Sequence, residues 1–107
     1  MSKNSRNKGK TGEREFAKLC RDHGYDCRRG QQFSGIEGED VVGLPGVHIE
    51  VKRVEALNVG LAMEQSVRDC QGKVPIVAHR KNGKSWLVTM LAEDWFEVVK
   101  NYKLDSF

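Results

Sequence analysis

Residues 40–52 read DVVGLPGVHIEVK, two apolar runs divided by Gly43, Leu44, Pro45 and Gly46. β-branched runs joined by so short a turn pair as antiparallel neighbours. The chain is thereby committed to a sheet, with Asp40 brought roughly opposite the Ile49–Glu50 region. Alternation along the second run places Val47, Ile49 and Val51 on one face and His48, Glu50 and Lys52 on the other. One face is sheet core, and the other carries an acid and a lysine that need a purpose.

The remaining elements follow from spacing. Thr11 is a candidate cap for a helix whose apolar stripe is Phe16, Leu19, Cys20 and His23, with Arg14, Lys18, Arg21 and Asp22 facing away and Gly24 as its stop. At ~100° per residue Glu13 lies roughly 60° from the middle of that stripe, so it edges toward the core. YDCRR reads as a short strand and GQQFSGIEGE as a polar loop. Val59, Ala62, Met63, Ser66, Val67 and Cys70 mark a second helix within 57–71, flanked by Asn58, Leu61 and Gln65. PIVAHR and SWLVTM surround an Asn-Gly turn and predict a hairpin. A last helix carries Leu91, Trp95, Val98, Val99 and Tyr102 on one face. The order is helix, three strands, helix, two strands, helix: one α/β domain, residues 11–107, around a central mixed sheet.

At 107 residues the chain fits one domain with one core. It is 38% hydrophobic and 31% charged, and no apolar stretch approaches the ~18 residues of a membrane span. MSKNSRNKGK has no apolar segment behind it, so it is not a secretory signal, and a cytoplasmic location is expected. Cys20, Cys27 and Cys70 lack zinc or redox spacing and read as reduced core thiols; His23, His48 and His79 lack ligand spacing and read as structural or surface groups. Both tryptophans read as packing residues. The net charge of +3 is unevenly placed, because residues 1–10 hold Lys3, Arg6, Lys8 and Lys10 and no acid. A flexible basic arm on a nearly neutral body suggests a polyanionic partner.

Glu13, Asp40 and Glu50 could converge with Lys52. Two like charges 4 Å apart repel by about 4 kcal/mol at an effective dielectric of 20, so such a cluster calls for a cation. Carboxylate oxygens suit Mg²⁺, which binds through one or two acids, waters and phosphate oxygens. With Lys52 to orient water or stabilise developing charge, the chemistry is phosphodiester hydrolysis. The plain alternative is a surface salt bridge of at most about 1 kcal/mol.

GEREF, RRGQQFSG, DVVGLPGVHIEVKR and the helix with MEQSVRD resemble the PDDEXK nuclease superfamily, and more narrowly the small archaeal-type Holliday junction resolvases and their phage-borne relatives. The resemblance spans residues 9 to about 90 and implies a restriction-endonuclease-like αβββαβ core. It implies Glu13 as the first-helix acid, Asp40 and Glu50 as metal ligands and Lys52 as catalytic lysine. Gln65 matches a helix position beside the site, and Ser34 a loop serine of some resolvases. Glu39 departs from the pattern, standing where a proline often precedes the aspartate, and is a competing ligand. Lys8, Lys10, Arg14, Arg28, Arg29 and Arg53 are the expected DNA contacts.

The expectation is a Mg²⁺-dependent, structure-selective DNA endonuclease, with Mn²⁺ able to substitute and no organic cofactor. Its substrate is branched DNA, foremost the four-way junction, and its site of action the bacterial host cell if the chain is phage-encoded. A junction needs two matched nicks, which a homodimer supplies from two sites. The alternatives are a replication-repair nuclease for other branched or single-stranded DNA, and a non-catalytic DNA-binding module of the same fold.

Overall fold

The computed structural model describes residues 2–30 and 39–102, with side chains from Gly9 onward. The elements are α1 (Ser2–Asp22), β1 (Arg28–Arg29), β2 (Val41–Val42), β3 (Val47–Lys52), α2 (Val59–Asp69), β4 (Val74–His79), β5 (Leu87–Met90) and α3 (Ala92–Asn101). The described strands form a five-stranded sheet ordered β1-β2-β3-β4-β5. Only β3 and β4 pair parallel; the other neighbours are antiparallel. A parallel pair needs a long crossover, and α2 supplies it. The sheet is therefore mixed, as the element order implied.

The turn at 43–46 sets the register that matters most. Val41 pairs with Ile49, and the amide of Asp40 donates to the carbonyl of Ile49 at 3.0 Å. Gly30 lies against this strand, donating to the Asp40 carbonyl at 2.8 Å. A side chain at Gly30 would collide with the backbone carbonyl of Glu39, so the close approach depends on glycine.

Alternation along β3 decides which helix meets which face. Ile49 and Val51 join Phe16, Ala17 and Cys20 of α1 with Cys27, Val41, Ile76 and Ala78. Val77 of β4 points the other way, onto Ala62 and Met63 of α2. The Ser66 hydroxyl donates to the Ile76 carbonyl at 2.9 Å and pins α2 to the sheet. Ile49 is fully buried. Ile49→Ala is expected to cost about 2–5 kcal/mol, the usual range for truncating a buried isoleucine, read as a lower melting temperature. A change under about 0.5 kcal/mol would mean that this cluster is not the core.

Three expectations need correction. The first helix starts at Ser2 rather than at a Thr11 cap, so the stretch expected as a flexible arm forms its first turns. Lysine and arginine are good helix formers and no proline interrupts them; Gly9 only weakens the run. On α2 only Ala62, Met63 and Ser66 are buried, while Val59 and Val67 flank the contact and stay exposed, and Cys70 ends the helix half-buried rather than in the core. On α3 no residue is buried at all. Trp86 packs against Phe16 with ring centroids 5.1 Å apart, as expected, but Trp95 is half exposed and its ring meets Phe96. Periodicity locates an apolar face without saying whether the same chain covers it.

Candidate active site

Four elements deliver the site. Asp40 stands at the entry to β2, Glu50 and Lys52 lie two residues apart on β3, Gln65 comes from α2, and Glu13 from α1. Gly12 lets α1 come close to β3, since a Cβ there would lie 2.6 Å from the Cβ of Arg53. A cavity of about 490 Å³ is lined by Gly9, Glu13, Asp40, Val51, Lys52, Arg53, Val54 and Glu55.

One Asp40 oxygen accepts from the amide of Val51 at 2.8 Å, which ties the side chain to the edge of β3. The Glu50 carboxyl lies close enough to act on it electrostatically. Burial raises the Asp40 pKa to about 6; the Val51 bond opposes this, Glu50 adds to it and Lys52 draws it down. Glu50 is buried, 2% exposed, and accepts from His48 Nε2 at 2.8 Å. Lys52 Nζ donates to Gln65 Oε1 at 3.1 Å. The amide thus aims the ammonium without neutralising it.

Glu13 faces the same cavity but is engaged with Arg29, whose Nε donates to it at 3.0 Å. Burial raises its pKa, Arg29 opposes, and the charge of Asp40 adds a smaller upward push. Glu13 and Asp40 therefore sense each other across the cavity. Among the described residues no three acid, histidine or cysteine side chains are grouped as a ready-made metal cage. What is present is a pair of carboxyls that act on each other beside a lysine, and that donor set suits a hard cation completed by water and substrate oxygens.

The expected DNA contacts divide. Lys10, Arg14 and Arg28 are exposed. Arg29 is occupied by Glu13, and Arg53 by Glu15 at 3.4 Å and Asn82 at 2.6 Å. The side chain of Lys8 and the whole of Ser34 lie outside the described residues. Glu39, expected to compete as a ligand, is instead paired with Lys73 and lies 3.7 Å from His48 Nδ1. His48 was the residue that sequence reasoning passed over. Its only signal was its place at i, i+2, i+4 with Glu50 and Lys52 on one strand face.

The raised Asp40 pKa has a measurable sign. A carboxyl that holds its proton more tightly folded than unfolded costs stability once ionised, a cost absent below its ordinary 3.8 and complete above about 6. Without divalent ions, Asp40→Asn is expected to melt above the wild type at pH 8 and level with it at pH 4. Equal melting temperatures at both would contradict the strained pair.

Neither family models nor curated protein sequences match the chain. Among solved structures it is similar to the Archaeoglobus fulgidus protein Hjc, a Holliday junction resolvase from an archaeal hyperthermophile, at 24% identity and a TM-score of 0.59. The match covers 77% of this chain and 76% of that one. The five-stranded mixed sheet flanked by α1 and α2, taken with that likeness, is a restriction-endonuclease-like fold.

Proposed function

We propose that the chain is a divalent-metal-dependent DNA endonuclease that resolves four-way junctions as a homodimer. The observation that carries this reading is Asp40 fixed against β3 by the Val51 amide, near Glu50 and beside a lysine aimed by Gln65, in the fold of a resolvase. Asp40 and Glu50 would hold the ion, and Glu13 the edge of the cavity. A divalent ion there supplies polarisation of the phosphoryl oxygen, a more acidic water and relief of the acid pair's repulsion. The Lys52 ammonium stabilises negative charge developing on the phosphoryl group, and Gln65 fixes its direction. End-labelled junction, duplex, flap and single strand, each incubated with Mg²⁺ and with EDTA, test the reading. Metal-dependent cleavage of the junction above the others is expected; a protein that binds DNA and cuts none of the four is a binding module.

The uncovered apolar face supports the homodimer. Trp95, Val98 and Val99 of α3 and its capping residues Leu91 and Tyr102 are exposed, with Phe96 beside them and Leu87 and Val88 exposed on the edge strand β5. All eight side chains are at least 41% exposed. Together they offer on the order of 800 Å², what one partner contributes to a standard interface. Light scattering is expected to give a dimer for the wild type and a monomer for Trp95→Glu with Val99→Glu, folded because neither residue is buried within its own chain but with a lower melting temperature that no longer rises with protein concentration. A wild-type monomer at micromolar concentration would remove the dimer.

Basic groups then position the backbone. Deleting residues 1–10 removes four of them, each worth up to about 0.9 in the slope of log affinity against log salt. A shallower slope is expected, and an unchanged one would make this segment a bystander. Lys81 and Lys84, on the loop between β4 and β5, line a second, larger groove of about 1040 Å³ together with Arg80 and Glu55.

A further inference from the structure

Glu50 is a buried acid on a central strand, with three side-chain torsions to fix and a hydrogen-bond partner two residues away on the same face. That partner, His48, is itself 2% exposed and spans two carboxylates, with Nε2 2.8 Å from Glu50 and Nδ1 3.7 Å from Glu39. Glu39 is in turn paired with Lys73, which lies just before β4. Lys73, Glu39, His48 and Glu50 thus form a continuous polar chain running from the surface to the acid pair. We infer that His48 is the positioning residue for Glu50, holding its carboxylate at the angle a divalent ion requires, with Glu39 and Lys73 fixing the imidazole from behind.

The inference rests on Glu50 being a metal ligand. As a ligand Glu50 is an ionised acceptor, so the proton of the shared hydrogen bond sits on Nε2. A hydrogen-bonded partner behind a ligating carboxylate restricts its torsions and raises metal affinity, and losing such a partner typically costs 10–100-fold in that affinity. The chain accounts for Glu39 at the same time. A proline in that place would leave the far edge of His48 without its anionic neighbour and Lys73 without its partner.

Two amides separate positioning from packing. The side-chain nitrogen of glutamine overlies Nε2 of histidine and reaches Glu50, whereas that of asparagine overlies Nδ1 and reaches only toward Glu39. Both bury a polar amide in the same place, so a purely structural role makes them equivalent. The measurement is Mn²⁺ binding by the protein alone, followed by the paramagnetic resonance signal of the free ion. His48→Gln is expected to bind close to the wild type and His48→Asn about 10–100-fold more weakly. DNA affinity in EDTA is expected to be the same for both. Equal Mn²⁺ affinities for the two amides, with Glu50→Gln binding weakly, would overturn the role of His48 and leave the metal site standing. If Glu50→Gln binds Mn²⁺ as the wild type does, the metal reading of the site fails, and the role of His48 with it.

Discussion

Asp40→Asn and Glu50→Gln are each expected to lower cleavage at least about a thousandfold in Mg²⁺, because metal polarisation supplies several kcal/mol and each ~1.4 kcal/mol is a factor of ten. Binding of the same DNA is expected to hold or to tighten. Each substitution removes a negative charge from a buried site, where desolvation and, to a smaller extent, the neighbouring carboxylate already push the Asp40 pKa up. The loss is therefore specific to the chemical step, and the fold is expected to gain stability near neutral pH. Single-turnover cleavage and equilibrium binding, measured on one preparation, check both halves. Cleavage within tenfold of the wild type in either variant would place the metal elsewhere.

Lys52→Ala is expected to cost about 10²–10³-fold in cleavage, the range seen when one charge-stabilising donor is removed from an active site. Lys52 lines the cavity shared with Asp40, and Gln65 holds its ammonium through a neutral acceptor. The basic neighbour Arg53 is engaged with Glu15 and Asn82 and cannot take its place without breaking those bonds. Gln65→Ala leaves the charge and removes only its aim, so a smaller loss is expected, with substrate affinity unchanged. The ranking is the check, because a Gln65 variant as poor as the Lys52 variant would mean that Gln65 touches the substrate itself.

Much of this site was legible in the sequence because it depends on short-range geometry. A tight turn between β-branched runs fixes register, so the approach of Asp40 to β3 followed from residues 40–52 alone. The period of two put Glu50 and Lys52 on one face, and helical spacing placed Gln65 on the flank of α2. What escaped was non-local. No spacing rule says that Glu13 meets Arg29, or that Lys73 reaches back to Glu39, since both pairings arise only once the sheet has assembled. His48 escaped because a histidine among apolar residues reads as packing until its neighbours across the fold are known. The face of α3 was recognised as apolar, but periodicity carries no information about which molecule covers it.

The central claim is that two copies of this site cut a four-way junction together, and mapping the nicks on a junction of fixed sequence tests it most directly. With each strand labelled in turn, the account predicts paired nicks at equal distances from the branch point on strands of like polarity in Mg²⁺, ends that a ligase can seal, and no nicks in EDTA. A monomer that nicks the junction and a plain duplex equally, at unpaired positions, would contradict it.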